Sequence, residues 1–194
     1  MSLSFTKEAL KKFKTQGSLF PSTSALGKMM IKPIVMKPGM IIVEFGAGTG
    51  SITKELIPRL RYGATFLVFE NNKVLAEKLR DDLVPYIEAT KSHSKVILIE
   101  DDAANLRAHL DRLGLPLADY VISGLPIGNF KRHERQKIFD AINEGMKEDG
   151  IYVQFQYLLA SFLHVRRVFD AKVIGYEVRN VPPAFVYVCK KKAE

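Results

Sequence analysis

Short runs of apolar residues alternate along the chain with longer stretches in which apolar residues recur every three or four positions. The short runs predict buried strands, and the longer stretches predict helices. Five apolar runs come first, at Met40–Phe45, Thr65–Phe69, Val96–Ile99, Ala118–Ile122 and Ile151–Tyr157. Helical patterns lie between them, over about 51–60, 73–83, 104–113 and 132–146. Strands that alternate with helices in this way predict a mainly parallel sheet with helices on both faces.

The last part of the chain has a different pattern. Two β-rich runs, Lys172–Val178 and Phe185–Cys189, are separated by a short segment that contains Pro182 and Pro183. So short a connection joins antiparallel strands and cannot form a parallel crossover. The predicted fold class is therefore α/β, with a Rossmann-like, seven-stranded, mostly parallel sheet that ends in a C-terminal antiparallel hairpin.

The region before the first strand is predicted to be helical. An apolar stripe runs along residues 4–14 and is surrounded by lysines, and a second helix is predicted over about 25–32. We therefore divide the chain into an N-terminal helical extension, residues 1–36, and a main domain, residues 37–194. The extension is expected to face the substrate or a membrane.

The composition is ordinary for one globular domain, since 47% of the 194 residues are hydrophobic and 26% are charged. It excludes a wholly disordered, collagen-like or coiled-coil chain, and no apolar run reaches the ~20 residues of a membrane-spanning helix. The single cysteine, Cys189, cannot form an internal disulfide, and four histidines without a close-spaced pair predict no metal site. The formal net charge of +8 indicates an anionic partner, which is a nucleic acid, an acidic membrane surface or an anionic cofactor.

A glycine-rich segment follows the first strand. Gly46, Gly48 and Gly50 lie at alternate positions between the strand and the start of a helix, and Glu44 precedes them. Glycines allow a ligand to approach the backbone closely, and the start of a helix attracts negative charge. An ordinary tight turn also uses glycines, so the loop alone does not identify a ligand site.

Acidic residues end the next two strands. Glu70 follows the glycine loop at the spacing, about 20 residues, of a carboxylate that accepts hydrogen bonds from ribose hydroxyls. Asp102 follows the third strand. Ligands of open parallel sheets bind beyond the carboxyl ends of the strands. The loop and the two acids therefore predict one nucleoside-like ligand, although a solvated acid at a helix start is the alternative for Glu70 alone.

The segment from Glu44 to Gly50 resembles motif I of class I S-adenosylmethionine-dependent methyltransferases, whose sheet also ends in an antiparallel hairpin. The resemblance implies that the loop backbone contacts the methionine part of S-adenosyl-L-methionine, that Glu70 holds the ribose, and that Asp102 with Ala103 holds the adenine. The two residues before Asp102 are also acidic, so the adenine position stays open among these neighbours. S-adenosyl-L-homocysteine would be the product. The implied cofactor-binding residues are Glu44, Gly46, Ala47, Gly48, Thr49, Gly50, Glu70, Asn71, Asp102, Ala103 and Ser123.

A second motif follows the fourth strand and consists of Ser123, Gly124, Leu125 and Pro126. It resembles the Asn-Leu-Pro-Tyr motif of ribosomal RNA adenine dimethyltransferases, which implies that these residues form the catalytic segment. The motif also departs from that pattern. Ser-Gly replaces the asparagine, and Ile127 replaces the aromatic residue that would stack on a target base.

Two further segments, residues 17–26 and 178–187, together with the Ser-Gly-Leu-Pro motif resemble the bacterial soluble phosphatidylethanolamine N-methyltransferases. This resemblance implies N-methylation of a phospholipid headgroup amine, by a cytoplasmic protein that is peripheral at the inner face of the membrane. The lysine-flanked apolar helix over 4–14 fits a membrane surface, and residues 131–137 provide a second basic cluster.

The predicted partner is a phospholipid at an anionic membrane surface, and no metal is predicted. A nucleic acid that is methylated on adenine is the first alternative, and a non-catalytic module that binds S-adenosylmethionine is the second. The helix over 4–14 could instead pack on the domain, and the basic cluster could be a solvated helix face. His133, Tyr157 and Glu44 are candidates for the proton acceptor.

Overall fold

The computed structural model describes residues 23–90, 92–158, 161–180 and 182–192. The helix predicted over residues 4–14 lies outside these ranges, so its role at a membrane stays a prediction. The division of the chain after residue 36 also stays a prediction, because only residues 23–36 of the extension are described.

The described residues form a seven-stranded sheet in which five parallel strands are followed by an antiparallel pair. The strands are β1 (Ile41–Phe45), β2 (Thr65–Phe69), β3 (Lys95–Ile99), β4 (Ala118–Ser123), β5 (Met146–Gln156), β6 (Phe169–Glu177) and β7 (Ala184–Lys191). Their spatial order is β3-β2-β1-β4-β5-β7-β6. This confirms the predicted α/β fold class and the C-terminal hairpin.

Helices lie on both faces of the sheet, as predicted. In the described ranges they are α1 (Ser24–Ile31), α2 (Thr53–Leu56), α3 (Lys73–Thr90), α4 (Leu106–Arg112), α5 (Arg132–Gly145) and α6 (Phe162–Val168). Short 3-10 helices lie at Ile57–Arg59, Ala103–Asn105 and Ile127–Asn129. None of the helices in these ranges has the length and apolar composition needed to cross a membrane.

Helix α3 is longer than its sequence predicts. The predicted end was near Leu83, but the helix continues through Pro85 to Thr90. A proline inside a helix removes one hydrogen bond and costs about 3 kcal/mol. Tyr86 and Ile87 pack on the core in the turn that follows, and their burial offsets this cost.

Helix α6 was not predicted at all, and the helix predicted over 51–60 is split. Pro58 has no backbone N–H to donate, and the chain there forms a 3-10 helix in place of a continued α2. Seven residues are too few for α6 to show a helical period in the sequence.

Strand β1 is buried along its whole length between β2 and β4 in the interior of the sheet. Val43 and Phe45 pack into one core with α4 and α5, whereas Ile42 packs into the other core with α1, α2 and α3. A strand covered on both faces needs apolar residues at every position, which explains the continuous apolar run. Glu44 is the charged exception within this strand.

Helix α1 belongs to the second core. Leu26 and Met30 are fully buried there. The hydroxyl of Thr23 accepts a hydrogen bond from the Leu26 N–H at 3.2 Å and so caps the start of the helix. The backbone N–H of Thr23 donates to the Asn180 side chain at 3.0 Å, which ties the start of α1 to the end of β6.

The strand order creates a crevice at the carboxyl ends of the parallel strands. β1 pairs with β2 on one side and with β4 on the other. The connections after β1 and β4 therefore leave the sheet in opposite directions and separate at this edge, which is where open α/β sheets bind ligands.

Candidate active site

A cavity of about 570 Å³ lies at the carboxyl ends of the parallel strands. Its wall is built from the segments that follow β1, β2, β3 and β4 and from the first turns of α5. Cavities of this size bind cofactors and drug-sized molecules. Four segments far apart in sequence thus meet around one ligand-sized space, and the sequence predicted this for the three that follow β1, β2 and β3.

The glycine loop forms one side of the cavity. Gly48 has φ of +57°, and its N–H donates to the Glu70 carboxylate at 2.8 Å. A Cβ at this position would meet no protein atom within 4 Å. The space in front of Gly48 therefore belongs to the cavity, and the missing side chain leaves it open for a ligand.

The segments after β1 and β4 touch at a second glycine. A Cβ at Gly124 would lie 2.8 Å from the carbonyl oxygen of Gly46, which is too close for any other residue without a backbone shift. The Gly124 N–H also donates to the Phe45 carbonyl at 2.8 Å. Gly124 therefore allows the Leu-Pro segment to lie directly beside the glycine loop.

Glu70 is buried, and its carboxylate lies in the cavity wall. One oxygen accepts from the Gly48 N–H, and the other accepts from the Asn72 N–H at 2.9 Å. Each carboxylate oxygen has a second lone pair that can accept a further hydrogen bond. Glu70 is thus fixed in position with acceptor capacity left for hydroxyl groups of a ligand.

The structure distinguishes among the three acids that follow β3. Asp101 and Asp102 both line the cavity, whereas the Glu100 carboxylate lies 3.8 Å from Arg80 and is not part of the wall. One Asp102 oxygen accepts from the Ala104 N–H at 2.9 Å, so the side chain also caps the short 3-10 helix.

His109 holds Asp101, a contact that sequence reasoning missed. Arg112 donates to His109 Nδ1 at 2.8 Å, so Nε2 carries the proton and donates to Asp101 at 2.7 Å. This hydrogen bond is the main cause that holds the pKa of Asp101 below its usual range. Asp101 therefore contributes a fixed negative charge to the cavity wall.

Glu44 lies beneath the glycine loop and is fully buried. One oxygen accepts from the Thr53 hydroxyl at 2.7 Å, and the other has no partner among the described residues. Burial raises the pKa of Glu44 to about 8, the Thr53 hydrogen bond opposes this rise, and the charge of Glu70 adds to it. Glu44 is therefore mostly protonated at neutral pH unless a donor or cation reaches the free oxygen.

The Glu44→Gln variant is expected to be more stable than the wild type at alkaline pH. The folded carboxyl keeps its proton up to about pH 8, whereas the unfolded one loses it near 4.5. The folded state thus binds more protons within this window, and wild-type stability falls as the pH rises through it. Glutamine does not titrate, so the gain should grow from pH 5 to pH 8.5, to a few kcal/mol at most. Melting temperatures across this range test it, and a pH-independent difference would contradict the shift.

Two glutamines of β5 hold the Leu-Pro segment, and they too were missed. The side-chain amides of Gln154 and Gln156 donate to the Leu125 carbonyl at 3.1 and 3.0 Å. Gln156 also accepts from the Gly128 N–H at 3.2 Å, and Gln154 accepts from the Tyr152 hydroxyl at 2.5 Å. The detectable signal was two glutamines in the otherwise apolar second half of β5, residues 151–156, because buried amides require partners.

The cavity wall contains most, but not all, of the residues predicted from sequence. Those that line it are Gly46, Gly48, Glu70, Asn71, Asp102, Ala103, Gly124, Leu125 and Pro126. Those that lie behind or beside it are Glu44, Ala47, Thr49, Gly50 and Ser123. Ser123 is fully buried and accepts from the Leu125 N–H at 3.2 Å, so it shapes the segment from behind.

The first turns of α5 close the other side of the cavity. Of the three candidate proton acceptors, His133 lines the cavity, whereas Tyr157 and Glu44 do not. Phe130 and Lys137 also contribute to this wall. Within the described ranges, no group of three histidine, cysteine or acidic side chains is arranged to hold a metal ion.

No model of a known protein family matches the chain. The chain is 29% identical over 174 residues to the ornithine lipid N-methyltransferase of Singulisphaera acidiphila, a match that covers 89% of this chain and 87% of that protein. It is also 34% identical over 86 residues to the ribosomal RNA small subunit methyltransferase A of Thermotoga petrophila. That match covers 42% of this chain and 32% of that protein.

The crystal structure of an S-adenosylmethionine-dependent O-methyltransferase from Thermotoga maritima has the same fold, with a TM-score of 0.66. The match covers 95% of this chain and 72% of that one, and the sequences are 12% identical.

The fold, the cavity at its switch point and this sequence similarity along most of the chain define a class I methyltransferase. The methyl donor of this enzyme is S-adenosylmethionine, as in the class as a whole.

Proposed function

We propose that this enzyme transfers a methyl group from S-adenosylmethionine to the amine of a phospholipid headgroup, of the phosphatidylethanolamine kind, at a membrane surface. One observation carries the proposal. A lipid N-methyltransferase matches almost the whole chain, whereas the match to an RNA methyltransferase is confined to 42% of it.

The cavity wall suggests how the cofactor is held. The glycine loop would take the methionine part, since the space in front of Gly48 is open and the Glu44 carboxyl beneath it has a free oxygen. Glu70 would accept from the ribose hydroxyls. Asp102 and Ala103 would hold the adenine, because both line the cavity, Glu100 lies outside it, and the Asp101 carboxylate is already bound by His109.

The bound cofactor supplies a sulfonium methyl group that an amine lone pair can attack. In this displacement the N–C bond forms as the C–S bond breaks, and the amine loses a proton. A lipid amine resembles the lysine amine, whose ordinary pKa is about 10.4, so it must lose its proton before or during attack. His133 lines the cavity and is the candidate proton acceptor. The Leu-Pro segment supplies a fixed wall against which the amine is aligned, since positioning accounts for much of the rate.

An RNA adenine as acceptor is the second candidate function. The partial match to an RNA methyltransferase favours it. The residue that replaces the stacking aromatic of RNA adenine methyltransferases argues against an RNA acceptor. This residue, Ile127, is fully buried and offers no face to a base. Two phenylalanines line the cavity, Phe69 and Phe130. Phe69 is buried, so the half-buried Phe130 is the one that exposes ring surface to a base.

Radiolabelled S-adenosylmethionine supplied in parallel to three kinds of acceptor tests the proposal. The acceptors are vesicles with phosphatidylethanolamine or an ornithine lipid, ribosomal RNA, and soluble amines. We expect label in the lipid fraction alone, with headgroup N-methylation visible by mass spectrometry. Label in RNA and none in lipid would replace the lipid function by the second candidate.

Gln154 is proposed as a positioning residue for the Leu-Pro segment. Gln154→Met keeps the length of the side chain but removes one of the two amides that bind the Leu125 carbonyl, and the Gln156 amide remains. Small displacements of a catalytic segment cost up to about 100-fold in rate, so we expect kcat to fall at least tenfold with cofactor affinity nearly unchanged. The matched control is Gln136→Met on the exposed face of α5, where the amide donates a hydrogen bond to Asp140 at 2.8 Å. Equal effects of the two variants, or a loss of cofactor affinity with kcat retained, would contradict this role.

A further inference from the structure

A mixed apolar and basic surface borders the catalytic cavity. We call it the rim surface and define it by the exposed side chains of Leu158, Leu163, Lys131, Arg132, Arg166 and Arg167. The two leucines are 56% and 60% exposed, although each is large and apolar. Large apolar side chains among cations are typical of surfaces that lie at a membrane interface.

The rim surface is joined to the cavity wall by direct contacts. The start of α6 lies against the segment after β4, since a Cβ at Gly128 would overlap the Ser161 hydroxyl. The Ser161 N–H donates to the Leu158 carbonyl at 3.1 Å, which places Leu158 beside the same segment. That segment continues through Phe130, which lines the cavity.

The start of α5 is tied to the same segment. Arg135 donates to the Phe130 carbonyl at 3.1 Å. Lys131 and Arg132, which precede it, are exposed, whereas His133 of the same turn lines the cavity. The cations of α5 and the leucines near α6 therefore flank one stretch of the cavity wall from two sides.

The charge of the rim surface is not neutralised locally. None of its four cations forms an ion pair within the described part of the chain. Glu134 is the nearby acid of α5, and its carboxylate accepts from the Lys131 backbone N–H at 2.7 Å. Between the two helices, burial and the charges of Arg135 and Arg167 lower the pKa of His164. The positive potential here is thus available to an external anion.

We propose that the rim surface docks on an anionic lipid bilayer, with Leu158 and Leu163 in the interface and the four cations on lipid phosphates. Docking in this orientation turns the cavity wall at Phe130 and His133 toward the headgroups. An amine then reaches the site without the lipid leaving the membrane. This inference rests on the proposed lipid substrate and names the surface that meets it.

The test compares paired variants of the full chain in a vesicle sedimentation assay. The vesicles contain phosphatidylglycerol and phosphatidylethanolamine, and phosphatidylcholine vesicles serve as the uncharged reference. Each cation near an anionic surface contributes about five-fold in binding. Leu158→Ser with Leu163→Ser, and separately Arg166→Gln with Arg167→Gln, should each reduce binding at least tenfold.

The control pair is Val35→Ser with Tyr62→Ser. These side chains are 64% and 75% exposed, so they match the leucines in exposure, but they lie before β1 and β2 at the opposite edge of the sheet. This pair should leave binding unchanged. Melting temperature and S-adenosylhomocysteine affinity should stay close to wild type in all three, because every changed side chain is exposed.

Three outcomes separate docking from lipid methylation. Loss of vesicle binding in both rim pairs together with loss of lipid methylation supports both proposals. The same loss of binding in an enzyme that methylates no lipid supports docking but overturns the proposed function. If the leucine pair binds vesicles as well as the wild type does, docking is overturned. If the arginine pair in addition retains less ribosomal RNA than the wild type, the rim surface binds nucleic acid. If the leucine pair unfolds, the arginine pair alone decides, and unchanged binding in it overturns docking.

Discussion

Gly48→Val is expected to abolish cofactor binding while the protein still folds. A Cβ at Gly48 meets no protein atom within 4 Å, so the first atom of a valine side chain has room in the free protein and lies at the cavity wall. The methionine part of the cofactor is proposed to occupy that space. Its exclusion should weaken S-adenosylhomocysteine binding at least 100-fold in calorimetry, with a corresponding loss of methyl transfer.

The positive φ of Gly48 also makes Gly48→Val less stable, and a control variant measures this loss of stability by itself. A β-branched residue in this backbone region costs about 1–2 kcal/mol of stability wherever it lies. Gly114 has φ of +63° and equally open space, but it follows α4 and does not line the cavity. Gly114→Val should therefore lower the melting temperature by a similar amount and leave cofactor affinity intact. If Gly48→Val binds S-adenosylhomocysteine with wild-type affinity, the cofactor does not bind in the space in front of the glycine loop.

Glu70→Ala is expected to produce the second large loss of cofactor affinity. The variant removes the acceptor proposed for the ribose and also the acceptor of the Gly48 N–H, so the glycine loop loses an anchor. Loss of a charged hydrogen-bond partner costs roughly 1–3 kcal/mol, or about 5- to 150-fold in the dissociation constant. Calorimetric titration with S-adenosylhomocysteine measures it.

Glu100→Ala is the matched control for Glu70→Ala. Glu100 also ends a strand with a carboxylate, but its neighbour is Arg80 and it does not line the cavity. We expect wild-type affinity in this variant. An equal loss in both would mean that the general negative charge of the edge matters, and not the carboxylate that faces the ligand.

The order of the strands and of most helices could be predicted from the sequence because these elements leave a local pattern, whereas α6 is too short to leave one. β1 and β2 are buried at all five positions each, so every residue had to be compatible with an apolar core, and Glu44 alone departs from this in β1. The antiparallel end followed from a connection too short for a crossover. The glycine loop and Glu70 were recognisable because their roles depend on backbone freedom and on their place at strand ends, which spacing records.

Neighbouring residues with the same chemistry could not be told apart in this way. Three acids follow β3, and only the fold places Asp101 and Asp102 in the cavity and Glu100 beside Arg80. The contact of His109 with Asp101 depends on how the turn after β3 leads into α4, and the turn has no periodic signal.

Contacts between distant segments account for the rest. Gln154 and Gln156 reach the Leu125 carbonyl across 29 and 31 positions of the chain, because β4 and β5 pair in a register that brings Ser123 beside Gln154. The rim surface likewise joins α5 to α6 through the segment after β4. The local pattern of the chain thus determined the strands, most of the helices and the glycine loop. The amides that hold the Leu-Pro segment and the cations beside the cavity were decided by strand pairing and packing, which act between residues that are distant in sequence.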